Sequence, residues 1–196
     1  MTDIPDLAPW RSLLAKALHQ NRSLVYSRYL QLATVTADHK PSNRTVVFRG
    51  FLNPGNRLQI ITDTRSEKIT QIAANPHAEA CWYFPKTRVQ FRLAGTIAIV
   101  TSTTTDETLQ AARQTAWEKL SDNARSGFAW PQPGADRADP SAFDVEPPEP
   151  AAPLAEFALL LLEPDRVDQL QLRGDPQQRQ IFTRSATGWE QREVNP

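Results

Sequence analysis

Apolar residues recur along this chain with two different periods, and the switches between them mark out the elements. Over residues 9–20, Leu13, Leu14, Ala17 and Leu18 fall at three-to-four spacing with polar residues opposite, which predicts a helix. Residues 29–36 (Tyr-Leu-Gln-Leu-Ala-Thr-Val-Thr) are rich in β-formers and alternate in part, so they read as a strand. The turn Asp38-His39-Lys40-Pro41 leads to a second strand at 42–51. The turn Asn53-Pro54-Gly55-Asn56 leads to a third at 58–62. Connections this short leave no room for parallel crossovers, so these strands form an antiparallel meander.

Ser66 is placed to cap a helix running to about residue 74, with Ile69, Ile72 and Ala73 inward and Asn75-Pro76 as the stop. Strands at 78–84 and 88–100 flank Pro85-Lys86-Thr87. Leu109, Ala112, Ala116 and Leu120 then define a helix over 105–120. Residues 131–153 break the pattern. They are crowded with proline, acidic and small residues, as in Glu146-Pro147-Pro148-Glu149-Pro150, and cannot form a core element. A loop of that length is functional or disordered. Four short strands at 157–163, 167–172, 179–184 and 189–193 close the chain. There is no internal repeat. Many short strands with few helices predict an α+β fold, an antiparallel barrel with flanking helices, in one domain over 1–196.

Composition narrows the function classes. The 22 Lys and Arg equal the 22 Asp and Glu, so nothing marks a nucleic-acid surface. Cys81 is the single cysteine, which excludes an internal disulfide and fits a reducing compartment. Its place in the alternation Ala80-Cys81-Trp82 reads as a structural thiol in a strand. The acidic start, Met-Thr-Asp-Ile-Pro-Asp, lacks the basic and apolar regions of a signal peptide. The apolar run at 157–162 is too short to span a membrane. The expectation is a cytoplasmic protein.

The histidines, His19, His39 and His77, form no spaced set with cysteines or carboxylates, so no metal site is expected. Neither a Gly-rich phosphate loop nor a Gly-x-Ser-x-Gly elbow is present. Candidate chemistry concentrates instead between residues 43 and 95. A phosphate monoester needs fixed cations and several donors, and both arginine forks and helix N-termini supply them. Ser66 stands at such a terminus with Lys68 in its first turn. A lysine there opposes the helix dipole, a conflict of about 0.3–1 kcal/mol that a bound dianion would relieve. Taken singly, Arg44, Arg49, Arg65 and Lys68 read equally well as solvated charges. Arg44 and Arg49 are an odd number of residues apart, so a regular strand turns them to opposite faces. Spacing alone does not decide which one serves a groove. Gln90 shares a face with Arg92 and Ala94. It is either an exposed amide or one that pairs with the polar edge of a ring.

The order and spacing of these residues resemble the pyridoxamine 5'-phosphate oxidase family, over about residues 32–196. Arg44-Thr-Val-Val-Phe-Arg49 is similar to the family's Arg-x-Val-Leu-Leu-Lys strand, Ile61-Thr62 to its Tyr-Thr pair, and Ser66-Glu67-Lys68 to its phosphate-gripping Ser-Arg-Lys. Ala74-Asn75-Pro76 resembles its helix stop, Gln90 its ring glutamine, Arg179 its late arginine, and 189–196 its Trp-to-Pro ending. The resemblance implies a split β-barrel homodimer with FMN in clefts between subunits. It implies contacts from Arg44, Thr45, Val46, Val47, Arg49, Ile61, Thr62, Ser66, Lys68 and Gln90, from Gln132 in place of a Gln-Ser pair, and from Arg179 of the partner subunit.

The departures are as specific. Glu67 stands where the family has arginine, leaving Arg65 or Arg49 to compensate. Asp175 and Gln177 replace the Arg-x-His that holds the vitamin B6 substrate. Leu172 stands near the position of an expected tryptophan, and residues 117–125 offer no match for the substrate-phosphate arginine and tyrosine. The flavin site is kept and most of the B6 site is lost, as in the oxidase-related branch. The first reading is therefore an FMN-dependent oxidoreductase of unassigned substrate, with no acid–base residue evident. The alternatives are a non-catalytic protein that binds FMN or another planar ligand for sensing, storage or electron transfer, and an interaction module built on the Pro-rich loop.

Overall fold

Strand-forming alternation becomes one antiparallel sheet whose order explains how the chain closes on itself. The computed structural model describes residues 7–196. Residues 1–6, which carry the no-leader expectation, lie outside the described residues. The strands are β1 (Tyr29–Val35), β2 (Pro41–Phe51), β3 (Leu58–Asp63), β4 (His77–Phe84), β5 (Val89–Val100), β6 (Phe157–Gln171), β7 (Gln178–Ser185) and β8 (Gly188–Val194). They lie in the order β3-β2-β1-β4-β5-β6-β7-β8, and β3 pairs with β6 as well. That last pairing closes β1 to β6 into a barrel and leaves β7–β8 as a hairpin beyond it.

The interior is filled by the alternate residues that period two directs inward. Leu30, Leu32, Phe48, Leu58, Ile60, Ala80, Trp82, Phe84, Phe91 and Leu93 are all buried there. Trp82 stacks near Phe48 and Phe84, with ring centroids 5.0 and 5.1 Å away. Its indole N–H is satisfied by the Ser27 carbonyl at 3.0 Å, as a buried tryptophan requires. The helix α1 (Pro9–Asn21) buries Trp10, Leu14 and Ala17 against this core, and α2 (Glu67–Ala74) adds Ile72.

The structure corrects three local readings. The two strands read at 157–163 and 167–172 are one strand, β6. Its first half is apolar at every position because both faces are covered. Leu160 and Leu162 enter the barrel, while Phe157, Leu159 and Leu161 join Trp117, Leu120 and Phe128 in a second core. At Pro164 the strand bulges instead of ending: Gly95 pairs with Pro164 and Ala94 with Arg166, so Asp165 is the extra residue. Next, the helix expected over 105–120 is α3 (Glu107–Glu118), and a further helix, α4 (Asp122–Ala129), follows. Each has its own N-cap, Asp106 accepting from Leu109 N and Ser121 from Ala124 N. Last, α2 turns Gln71 inward and leaves Ala73 exposed. Polar partners beneath the helix decide that choice.

The Pro-rich segment 131–153 is held against α3 and α4 by side chains that bind its carbonyls. Trp117 Nε1 donates to Glu149 O (2.9 Å), Arg125 Nε to Pro148 O (2.8 Å) and Gln114 Nε2 to Ala151 O (3.0 Å). Extended proline-rich backbone has free carbonyls and few N–H groups, so buried Arg and Trp donors suit it. Among the described residues no helix is long and apolar enough to cross a membrane.

Gly95 is the residue on which the bulge depends. A Cβ there would lie 2.0 Å from the Glu163 carbonyl oxygen and 2.7 Å from Pro164 Cα, both backbone atoms that cannot move aside. Gly95→Ala should cost about 3 kcal/mol, the upper end for overpacking. For a domain of this size that lowers Tm by roughly 6–12 °C, readable by calorimetry. An unchanged Tm would show that the bulge can shift.

Candidate functional site

At the end of β3 the chain turns directly into α2, and that junction gathers the polar groups read as a phosphate site. Thr62 is inward-facing and buried on β3. Ser66 occupies the N-cap position of α2, but its side chain caps nothing, contrary to the expected role. Its hydroxyl turns to Thr62 Oγ1 at 3.2 Å, and the Lys68 ammonium donates to both hydroxyls, at 2.9 Å to Thr62 and 3.0 Å to Ser66. The first amides of α2 are thus left without a side-chain cap. An ammonium, two hydroxyls and a helix N-terminus converge on one spot, which is the donor set an anion requires.

Among the described residues Lys68 makes no salt bridge. Partial burial is the first cause that pushes its pKa below the ordinary lysine value, and the Arg44 charge is the second. Asp63 and Glu67 act weakly in the opposite sense. Two cations held this close without a hydrogen-bonded carboxylate form a site that an anion would relieve.

Arg44 lies on the face of β2 that carries Val46 and Phe48 toward the barrel interior, so the odd spacing resolves in its favour. Its Nη1 donates to Leu32 O (3.1 Å) and Thr34 Oγ1 (2.6 Å), and its Nη2 to Ser42 Oγ (2.7 Å) and Gln71 Oε1 (2.9 Å). Thr34 donates in turn to Gln71 Oε1 at 2.6 Å, closing a small ring of polar contacts beneath α2. Sequence reasoning passed over Thr34 and Gln71. The available signal was a glutamine on the inward face of a helix, between Ile69 and Ile72.

The remaining candidates divide by face. Thr45, Val47 and Arg49 lie on the outer side of β2, while the Val46 side chain belongs to the core. Arg49 has no acidic partner among the described residues. Its pKa is pushed down by partial burial first and by Arg28 second. The Ile61 side chain packs in the second core, opposite in direction to Thr62, so only its backbone faces the junction. Arg65 does not replace the cation missing at Glu67. Its guanidinium is paired with both Asp63 oxygens (2.9 and 2.6 Å) and with the carbonyls of Trp130 and Phe128. That tie anchors the segment bearing the exposed Gln132 beside the β3–α2 turn. Gln90 is half-buried on the outer face of β5 opposite Tyr83, three strand positions from β2, roughly 14 Å across the sheet. Arg179 is clamped by the buried Asp168 at 3.0 and 2.7 Å. Thr62 pairs with Ala158 and Arg179 with Leu170, near opposite ends of β6 and roughly 40 Å apart along the strand. One chain does not bring Arg179 to Lys68. Asp175 and Gln177 sit exposed or half-exposed at the β6–β7 turn, away from that junction.

Comparison with known proteins places the chain in a family. A family profile described as pyridoxamine 5'-phosphate oxidase, FMN-binding domain, matches residues 7–101. A curated Arabidopsis thaliana protein named pyridoxine/pyridoxamine 5'-phosphate oxidase 2 is 41% identical over 196 residues, covering 97% of this chain and 98% of its own. The chain belongs to the pyridoxamine 5'-phosphate oxidase family of FMN-binding proteins. A crystal structure of a pyridoxamine 5'-phosphate oxidase-related, FMN-binding protein from Nostoc punctiforme shares 52% identity and a TM-score of 0.95, covering 97% of this chain and all of the other. PhzG from Burkholderia lata, at 18% identity and a TM-score of 0.78, shares the fold over 99% of this chain and 95% of its own. The barrel is the split barrel of this family, and FMN is the family's cofactor. The Lys68 cluster fits the phosphate of that cofactor, because it offers cation and hydroxyl donors and no paired carboxylate.

The Lys68 shift sets a pH dependence with a definite sign. An ammonium holds an anion only while protonated, so FMN affinity should begin to fall below the ordinary lysine value of 10.5. In ligand-free protein the unfolded chain binds the extra proton across that window. The Lys68 contribution to stability therefore rises with pH there, opposite to affinity. Fluorescence titration of FMN from neutral pH to 10.5, with Lys68→Ala as control, reads the effect. An alkaline fall shared equally by the variant would exclude Lys68 as its source.

Proposed function

We propose that this protein is an FMN-dependent oxidoreductase whose flavin lies between two copies of the chain. The observation that carries the proposal is the Lys68 ammonium, without a salt bridge among the described residues and joined to Ser66 and Thr62 at an uncapped helix N-terminus, in a chain of an FMN-binding family. Lys68, the two hydroxyls and the first amides of α2 hold the phosphate, and Arg44 adds a second positive charge beside them. Thr45 and Val47 offer the outer face of β2, and the Val46 and Ile61 backbones run alongside, as a wall for the ring. The Gln90 amide can both donate and accept at the ring's polar edge. Gln132 approaches from the segment that Arg65 tethers.

Arg179 is the argument for a second copy. It lies at the far end of β6 from the phosphate cluster, so a flavin anchored at Lys68 meets it only across an interface. A homodimer with two equivalent clefts satisfies this by symmetry.

Bound FMN supplies hydride transfer at N5 and reoxidation by oxygen or another acceptor. The chain supplies position and electrostatics. The name of the Arabidopsis relative suggests pyridoxine and pyridoxamine 5'-phosphates, the alcohol and amine forms that give up a hydride, as substrates. Asp175 and Gln177 weigh against that class, because neither can pair with an anionic substrate as the family's Arg-x-His does. The cytoplasm, where flavins and their reductants abound, is the proposed compartment.

The test begins with the visible spectrum of the purified protein and identification of the pigment released by heat. Two flavin bands with FMN released are expected. Colourless protein that takes up no added FMN would overturn the proposal. Lys68→Ala should weaken FMN binding by about tenfold or more, the worth of a charge-assisted contact. Lys68→Ala and Arg179→Ala chains, each impaired alone, should regain FMN binding when mixed, because each hybrid dimer holds one intact cleft. Absence of rescue would place Arg179 outside the cleft. Turnover with pyridoxamine 5'-phosphate and with other amines, alcohols and nicotinamides then separates oxidoreductase from non-catalytic flavin binder. Bound FMN with no turnover would favour the latter.

A further inference from the structure

Arg44 is the arginine that the family pattern assigns to the phosphate, yet its fork is already occupied. A guanidinium carries five N–H donors. Both Nη nitrogens are engaged twice, with Leu32, Thr34, Ser42 and Gln71, and Nε–H has no partner among the described residues. A bidentate grip on an anion would have to break one or more of these bonds. The cost is high where the partner is buried, and Thr34 is 2% and Gln71 8% exposed.

Gln71 is the centre of this arrangement. Its Oε1 accepts from Thr34 at 2.6 Å and from Arg44 at 2.9 Å, so one amide oxygen ties α2 to β1 and to β2. Gln71 stands three residues after Lys68, on the same side of the helix. The contact that seats α2 therefore also sets where Lys68 and the uncapped amides sit. The amide is neutral. A glutamate would accept the same two bonds but would cancel the Arg44 charge that faces Lys68.

We propose that Gln71 is a positioning residue of the phosphate end. It fixes Arg44 as a stationary charge, so that direct contact falls to Lys68, Ser66, Thr62 and the α2 amides, and Arg44 offers its Nε–H alone. This rests on the phosphate location proposed above and adds a division of labour to it.

Two variants and three measurements test the proposal: ligand-free thermal melting, FMN affinity by fluorescence titration, and the Lys68 titration midpoint by NMR of protein methylated with carbon-13 at its lysines. Gln71→Leu releases Arg44. It should lower FMN affinity by about tenfold and raise the Lys68 midpoint, since the neighbouring charge moves away. Gln71→Glu keeps both acceptor contacts. It should melt at or above the wild-type temperature yet bind FMN more weakly than wild type. A residue that merely stabilises the fold would lower the melting temperature of Gln71→Leu and leave both affinity and the Lys68 midpoint in place, and that result overturns the proposal. Should Gln71→Leu fail to fold, Gln71→Glu decides: wild-type affinity overturns the proposal and weakened affinity at full stability supports it. Wild-type protein that binds no FMN overturns the proposed function instead. The Lys68 midpoint, read without ligand, then decides the Gln71 proposal by itself.

Discussion

The pairing of β3 with β6 is the constraint on which the rest of this structure depends. Leu58 to Asp63 run antiparallel against Leu162 to Phe157, and that ladder turns an open meander into a closed barrel. Closure removes both edges of the first six strands and gives Leu58, Ile60 and Thr62 an interior to face. It also fixes the far side of β3. Ile61 is pressed into the second core with Leu159, Leu161 and Trp117, so the last turn of β3 cannot roll. The polar junction at Thr62, Ser66 and Lys68 inherits its rigidity from two apolar cores meeting on a single strand.

The same economy of elements shapes the electrostatics. Cations surround the β3–α2 turn, but they are not equivalent, because hydrogen bonding assigns each a different task. Arg65 is neutralised by Asp63 and holds the carbonyls of Phe128 and Trp130, so it fastens α4 and its following segment to the barrel. Arg44 is enclosed by neutral acceptors and keeps its charge. Among the described residues Lys68 hydrogen-bonds to hydroxyls alone. A carboxylate in the place of Gln71 would keep the local contacts and weaken the site, because it cancels charge that an anion could use. Neutral partners around a buried charge cost stability relative to ion pairs, and the uncancelled charge that results is what an anionic ligand can use.

Much of the fold was legible because period two and period 3.6 survive where one face is buried and the other wet. All of the barrel strands up to β5, and α1 and α2, were read within a few residues of their observed bounds. Legibility failed where that condition fails. The first half of β6 is covered on both faces, so its apolar run carries no period, and Pro164 looked like a stop because the matching gap at Gly95 lies far away in sequence. The helix α4 has only eight residues and two clear apolar anchors, Ala124 and Phe128, too few to show a stripe. At the site, residue type and position pointed to Ser66 and Lys68, and the family resemblance added Thr62. They could not show that Arg65 is consumed by Asp63, that Val46 and Ile61 turn their side chains into the cores, or that Gln71 displaces Ala73 from the inward face. Arg65 finds Asp63 two residues away, at the end of β3; the other outcomes depend on partners brought in by the sheet.

The departures from the family pattern gain a physical sense from this layout. Glu67 replaces a phosphate cation, and its side chain is exposed at the first turn of α2, where a carboxylate favours the helix dipole. Its charge still reaches both cations, acting on Arg44 and on Lys68 in the sense opposite to burial. Asp175 and Gln177 are a different matter. They lie at the β6–β7 turn, beyond the bulge that Gly95 permits, on the part of the sheet that the barrel does not enclose. The proposed phosphate end of the flavin site is thus built into the closed barrel and its helix, while the hairpin gives Phe182 to the main core and carries Arg179. Asp175 and Gln177, at the turn before it, belong to neither core, and sequence can change there without disturbing the barrel. A fold divided in this way can keep its flavin chemistry while exchanging what that chemistry acts upon.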